Sequence, residues 1–209
     1  MSTPLHIHAI LPLSLLEAMR NLDTPIDDGL AELAHEMVAK RLGLSNTVAI
    51  QIERLGALAE RQGTVPLEEA VSVFRLVSRR VDAQLVFADA GRRTARYAAR
   101  SMAPLSRRLL QLSPRALRRR LGVKAAARVS ARVLDAQLIP ASPLAEARLT
   151  DSMASRAEAL GEGCYFYGAA FAELLRLTCG FEGAMLHDGC RAKGDPACTW
   201  RATTVEGYP

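Results

Sequence analysis

The sequence predicts an α+β fold, with helices packed on a small antiparallel sheet and an N-terminal portion that is helical. Its first two-thirds are rich in Ala, Leu and Arg, which favour helices, and the apolar residues there repeat at helical spacing. After Pro140 the pattern changes, and two short stretches near the C-terminus are joined by turn-forming residues. With 209 residues, 49% of them hydrophobic, the chain is long enough for a sizeable core.

The predicted helices fall in two portions that together form one globule, residues 1–62 and residues 63–209. In the first portion, Thr24 and Pro25 are a helix start, and the apolar stripe that follows ends at Gly43. In the second portion, apolar spacing with Ser and Pro start signals predicts further helices. They cover residues 65–81, 81–102, 104–112, 113–134 and 164–180.

Two strands are predicted at the C-terminal end, over residues 183–190 and 198–205, because apolar and polar residues partly alternate there. The stretch between them, RAKGDPA, has the composition of a turn. The two strands are therefore expected to pair antiparallel and to follow the helix 164–180.

All four cysteines lie in this last quarter of the chain, too few for a disulfide scaffold. Cys190 and Cys198 flank the predicted turn, and Cys164 begins the preceding helix. His187 stands three residues before Cys190, which places it on the opposite face of a regular strand. A bulge at Gly189 would bring the imidazole round to the thiols.

Three thiolates and one imidazole predict a closed, tetrahedral zinc site with a structural role. Such a site would fix a short hairpin to a helix, a junction too small to be stable by packing alone. The alternative is that the cysteines are small core residues, which is the expectation for Cys179. The predicted ligands are Cys164, His187, Cys190 and Cys198.

Basic residues are concentrated in the middle of the chain. Thirteen of the 27 Lys and Arg lie between Ala90 and Leu134, where there is no Asp or Glu, although the net charge of the chain is only +5. This indicates an anionic partner, or an acidic face for the segment to pack against. Arg115–Arg120 predicts a basic amphipathic helix, suited to an anionic membrane surface or an acidic protein. Nucleic acid is not favoured, because aromatic residues make up only 5% of the chain.

A cytoplasmic location is expected, with attachment to a membrane surface as the alternative. The N-terminal stretch has no basic region before its apolar run, and Pro12 interrupts that run, so it does not resemble a secretory signal. No apolar run approaches the roughly 18 residues that a membrane-spanning helix requires.

The motif CxFYGAAFAELLRL, followed by HxxCRAKGDPACTW, resembles the vinyl-4-reductase domain superfamily. TVPLEEAVSVFRLVSRRV and DAGRRTARYAAR extend the resemblance toward the members of bacteriochlorophyll synthesis. The resemblance implies a ligand-binding domain over residues 63–209, of the type shared with nitric-oxide sensors and Golgi-transport subunits. It also implies that Cys164, Cys190 and Cys198 bind zinc, with His187 at the position where the family usually has Glu.

The resemblance implies a hydrophobic tetrapyrrole, a bacteriochlorophyll precursor, as the ligand. Arginine pairs with carboxylates and stacks on flat rings, so an apolar cavity rimmed by arginine suits such a ligand. Solvated arginines and rings that simply fill the core are the alternatives. The residues predicted to bind the ligand are Arg92, Arg93, Arg96, Tyr97, Arg100, Phe166, Tyr167 and Phe171.

Four functions follow from this interpretation. The first is a non-catalytic carrier or accessory protein of photosynthetic pigment synthesis, and the second is the vinyl reductase itself. A sensory domain for a small aromatic ligand and a scaffold acting as a homodimer are the others. The sequence has neither a dinucleotide fingerprint nor iron–sulfur spacing, so no bound redox cofactor is inferred and a carrier is favoured over an enzyme.

Overall fold

The computed structural model describes residues 6–24, 42–142, 144–157 and 161–204. The α+β class is confirmed. The helix predicted after Thr24 lies on residues 25–41, outside the described residues. The helices are α1 (Ile10–Asp23), α2 (Asn46–Glu60), α3 (Leu67–Ser78), α4 (Ala83–Arg100), α5 (Pro104–Leu112), α6 (Arg115–Val133), α7 (Met153–Arg156) and α8 (Cys164–Cys179), with 3₁₀ turns at Leu42–Leu44 and Arg191–Lys193.

The strands form two antiparallel sheets. The smaller has two strands, and the larger has four in the order β3, β4, β6, β5. The predicted C-terminal hairpin is confirmed, because β5 and β6 pair antiparallel. The strands are β1 (His6–His8), β2 (Thr64–Pro66), β3 (Gln137–Pro140), β4 (Ala145–Leu149), β5 (Gly183–Gly189) and β6 (Cys198–Thr204). The pair β1 and β2 joins the N-terminal portion to the start of the second portion.

Three of the described helices were not predicted, namely α1, α2 and the four-residue α7, and the starts of the first two have physical causes. Pro12 interrupts the apolar run of α1, yet it lies in the first turn, where backbone N–H groups have no intrahelical partner. Helix α2 begins at Ser45, whose hydroxyl accepts a hydrogen bond from the Val48 amide over 3.3 Å. The four strands before β5 were also missed.

Helices α4 and α8 cross closely at the centre of the core. A Cβ atom at Gly91 of α4 would lie 2.1 Å from the carbonyl oxygen of Phe166 on α8. Only glycine therefore permits this approach of the two backbones. Among the described helices, none combines the length and apolar composition needed to cross a membrane.

Candidate metal centre and adjoining cavities

The four predicted metal ligands converge between α8 and the hairpin. Their ligand atoms all lie within 4.8 Å of one another. The Cys164 Sγ atom is 3.9 Å from that of Cys190 and 3.8 Å from that of Cys198. A tetrahedral ion with metal–sulfur bonds of about 2.3 Å places its sulfur ligands about 3.8 Å apart. The cluster could therefore hold a metal ion without rearrangement of these thiols.

The predicted β-bulge explains how the imidazole reaches the thiols. His187 pairs with Trp200 across the hairpin, but Gly189 pairs with Thr199, so the register shifts between them. Asp188 is the extra residue of this bulge, and it turns the strand. His187 and Cys190 therefore both reach the cluster, although they are three residues apart. The His187 ring stacks on Trp200, with centroids 4.9 Å apart.

Backbone amides and one carboxylate order the turn around the cluster. The Arg191 amide donates a hydrogen bond to Cys198 Sγ over 3.4 Å. Asp195 accepts one from the Cys190 amide over 2.6 Å. Gly194 closes the turn with a φ of 99°, in the left-handed region that favours glycine. These bonds position two of the thiols independently of the helix that carries the third.

The thiols influence one another's ionisation. The hydrogen bond with Cys198 raises the pKa of Cys164, and burial raises it further. The same hydrogen bond lowers the pKa of Cys198 to about 5, with further support from the Arg191 amide and His187. The shared hydrogen bond therefore favours loss of one proton from the pair Cys164 and Cys198, and thiolates are the form that binds metals.

Four of the eight residues predicted to bind the ligand line one groove of about 600 Å³ between α1, α2 and α4. The groove also has apolar residues and the carboxylates Glu17 and Glu60. The Tyr97 hydroxyl donates a hydrogen bond to the Ala59 carbonyl at its edge. The predicted residues that line it are Arg93, Arg96, Tyr97 and Arg100.

Arginine side chains also line a smaller pocket of about 280 Å³ under α5. Arg96 and Arg100 belong to both cavities, so the pocket adjoins the groove. Arg107 and Arg118 complete its basic lining, whereas Ala99, Met102, Leu110 and Leu177 supply apolar surface. The Arg118 Nε atom is buried and has no hydrogen-bond partner among the described residues. No local pattern in the sequence predicts Arg107 or Arg118 at this pocket, because their placement depends on the packing of α5 and α6.

Ion pairs hold part of this arginine set in place. Arg96 contacts Glu173 over 3.0 Å, and Arg176 contacts the same carboxylate over 2.7 Å. Hydrogen bonds from Arg176 and Arg96 hold the pKa of Glu173 below its usual range, so it stays ionised. Arg93 pairs with Asp89 over 2.8 Å. Among the described residues, Arg100 instead donates only to the Arg96 carbonyl, over 3.3 Å, and no carboxylate there neutralises its charge.

The other four predicted residues do not line the groove. Arg92 is exposed and lines neither this groove nor the smaller pocket. Phe166 and Phe171 are fully buried and pack on neighbouring rings, with Phe166 6.0 Å from Phe74 and Phe171 5.4 Å from Trp200. These placements match the alternative in which the rings fill the core.

Tyr167 borders a third cavity, of about 460 Å³, beside β3 and β4. Its hydroxyl accepts a hydrogen bond from the Met153 amide over 3.3 Å. Asp135 lines the same cavity with a φ of 52°, and burial raises the pKa of its carboxyl. Aspartate tolerates this conformation just after a helix, which accounts for Asp135 at the turn that follows α6.

Comparison of the chain with protein-family profiles, with curated proteins and with solved structures finds no match. The vinyl-4-reductase resemblance therefore stays a prediction that depends on the motifs of the sequence.

Proposed function

We propose that the protein is a binding module for a hydrophobic anion, and that a tetrapyrrole carrying carboxylates, such as a bacteriochlorophyll precursor, is its ligand. The observation that supports this most is the junction of the groove with the pocket at Arg96 and Arg100. The groove offers apolar surface to a ring, and the pocket offers guanidinium groups to carboxylates. Cavities of this size and mixed lining suit small-molecule ligands.

We propose zinc as the ion of the metal centre. Three cysteines and one histidine form a donor set typical of structural zinc, and the spacing of the sulfur atoms agrees with zinc–sulfur bonds. Four protein ligands leave no open position, so the ion fixes the hairpin to α8 and takes no part in a reaction. The groove lies elsewhere in the fold, between α1, α2 and α4.

Titration with magnesium protoporphyrin tests the ligand, with its dimethyl ester as the matched probe that lacks charged carboxylates. We expect the wild type to bind the free acid about 10-fold more tightly than the ester, because a hydrogen bond to a charged group adds about 1.5–3 kcal/mol. Arg100→Gln should remove that preference. The shift of the main absorption band of the porphyrin is the measurement.

Arg92→Gln is the matched control, because it removes an exposed arginine of the same helix that lines neither cavity. Its affinity for the free acid should equal that of the wild type. Equal binding of acid and ester by the wild type would overturn the role of the arginines. A wild type that binds neither porphyrin would overturn the proposal itself.

The same titration distinguishes the reductase. If a supplied reductant changes the spectrum of a bound vinyl porphyrin to that of its ethyl product, the protein is an enzyme and not a carrier. A wild type that binds phenols but no porphyrin would instead favour a sensory domain.

A further inference from the structure

Four exposed leucines lie on α5 and near the start of α6, and we call this set the leucine patch. Leu105, Leu109 and Leu112 of α5 are 77%, 60% and 85% exposed, and Leu117 of α6 is 48% exposed. At 100° per residue, the three positions on α5 lie within one narrow stripe. Within α5, all of which the structure describes, only Leu110 is buried. The helix therefore packs through one side chain and turns its leucine stripe outward.

Arginines surround the leucine patch. Arg108 of α5 and Arg115 and Arg120 of α6 are all exposed. No acidic residue occurs between Ala90 and Leu134 to offset them. An apolar helical stripe flanked by cations is the pattern of helices that lie in the surface of an anionic membrane.

Other occupants of the patch fit this chemistry less well. A second copy of the chain, seated on the patch by two-fold symmetry, would bring the same arginines against each other. Nucleic acid would pair with the arginines but leave the leucines in water. A bilayer surface with anionic headgroups meets both groups at once, because acyl chains take the leucines and headgroups take the arginines.

We propose that the leucine patch docks the protein on anionic lipid bilayers, with α5 lying in the interface. This does not depend on tetrapyrrole binding, because the lipid contact uses the outer face of α5 and the ligand site lies beneath it. Either proposal can fail without the other.

Sedimentation with lipid vesicles tests the docking. One vesicle is pure phosphatidylcholine, and the other contains roughly one-quarter phosphatidylserine. We expect the wild type to sediment with the anionic vesicle and to be released by high salt. The double variant Leu109→Gln/Leu112→Gln should bind at least about 10-fold more weakly, because it removes two side chains that enter the acyl region.

Two control variants separate the patch from general effects. Leu85→Gln removes a leucine of α4 that is 62% exposed and lies outside the patch, so its binding should equal that of the wild type. Arg108→Gln/Arg115→Gln should weaken binding about 10-fold and reduce its salt dependence, whereas Arg92→Gln should do neither.

Three outcomes would overturn the docking. The first is a wild type that sediments with neither vesicle, and the second is equal binding to both vesicles. The third is a Leu85→Gln variant that binds the anionic vesicle as weakly as the Leu109→Gln/Leu112→Gln variant does. Polyglutamate is an added probe for an acidic protein. The bilayer would also be rejected as the partner if the protein bound polyglutamate through the patch leucines and did not bind lipid.

Discussion

His8 is a buried imidazole that fixes the first turn of α1. Its Nδ1 atom accepts a hydrogen bond from the Ile10 amide over 3.1 Å, so this nitrogen carries no proton. Burial lowers the pKa of His8, and the charge of Arg132 lowers it further. The unfolded chain therefore binds a proton more readily than the folded one. The stabilisation from neutral His8 is complete above about pH 6.5 and declines as the pH falls below that value.

His8→Asn should reduce this pH dependence, because an asparagine oxygen can accept the Ile10 amide hydrogen bond without titrating. Between about pH 7.5 and about pH 5.5, the urea midpoint should fall further for the wild type than for the variant. Parallel declines in the two proteins would show that His8 does not contribute.

Residue roles at the two sites differ in how far the sequence predicts them. Strand alternation fixes the face of every side chain, so the spacing of His187 and Cys190 was enough to predict a bulge. The arginines of α4 share one helix, but the carboxylate that pairs with Arg96 comes from a distant segment. Arg96 meets Glu173 on α8, a contact that no local pattern in the sequence reveals.

The crossing of α4 and α8 is a contact between elements that tolerates little change. At Gly91 an added methyl group meets the backbone of α8, which cannot move aside as a flexible side chain would. Gly56 of α2 is the contrasting case, since a Cβ atom there meets nothing within 4 Å.

Gly91→Ala should destabilise the protein by roughly 1–3 kcal/mol, the usual cost of overpacking. Gly56→Ala should stabilise it by up to about 1 kcal/mol, because alanine favours a helix more than glycine does. Urea unfolding followed by circular dichroism measures both changes. Similar free energies of unfolding for the two variants would contradict the close approach at Gly91.

Helices α3 and α8 were predicted because apolar periodicity extends over several turns in each of them, whereas α1 and α2, which are of similar length, were missed. Strands β1 and β2 have three residues each, which is too few for an alternating pattern to be recognised in the sequence. Strand β4 does alternate, with Ala145, Ala147 and Leu149 buried and the residues between them exposed. That signal was available in the sequence, whereas the pairing of β4 with β6 depends on contacts far apart in the chain.

At the scale of the whole molecule, the cluster of three cysteines and His187 joins α8 to the larger sheet. Cys164 begins α8, whereas Cys190 and Cys198 belong to the hairpin. Cys179, at the other end of α8, donates its thiol hydrogen to the Leu175 carbonyl and lies outside the cluster. Substitution of Cys179 is therefore a matched control for substitution of a thiol in the cluster.

The purified protein should contain one zinc ion per chain, measured by elemental analysis. Metal present at 100 to 1,000 times its Kd stabilises the folded state by roughly 3–4 kcal/mol, and a chelator should remove that stabilisation. Cys190→Ser should lose the ion and unfold at a lower temperature. Cys179→Ser should keep the ion. A wild type that contains no metal, and whose stability a chelator does not change, would refute the zinc assignment.

The imidazole of His187 is exposed, whereas the three thiols of the cluster are buried. A metal ion held there would be nearest to solvent at His187, on the edge strand β5. Exchange of the ion should therefore begin with displacement of the nitrogen ligand by water, and the sulfur ligands should be released last. Substitution of His187 should accelerate the transfer of metal to a competing chelator more than it weakens the affinity at equilibrium.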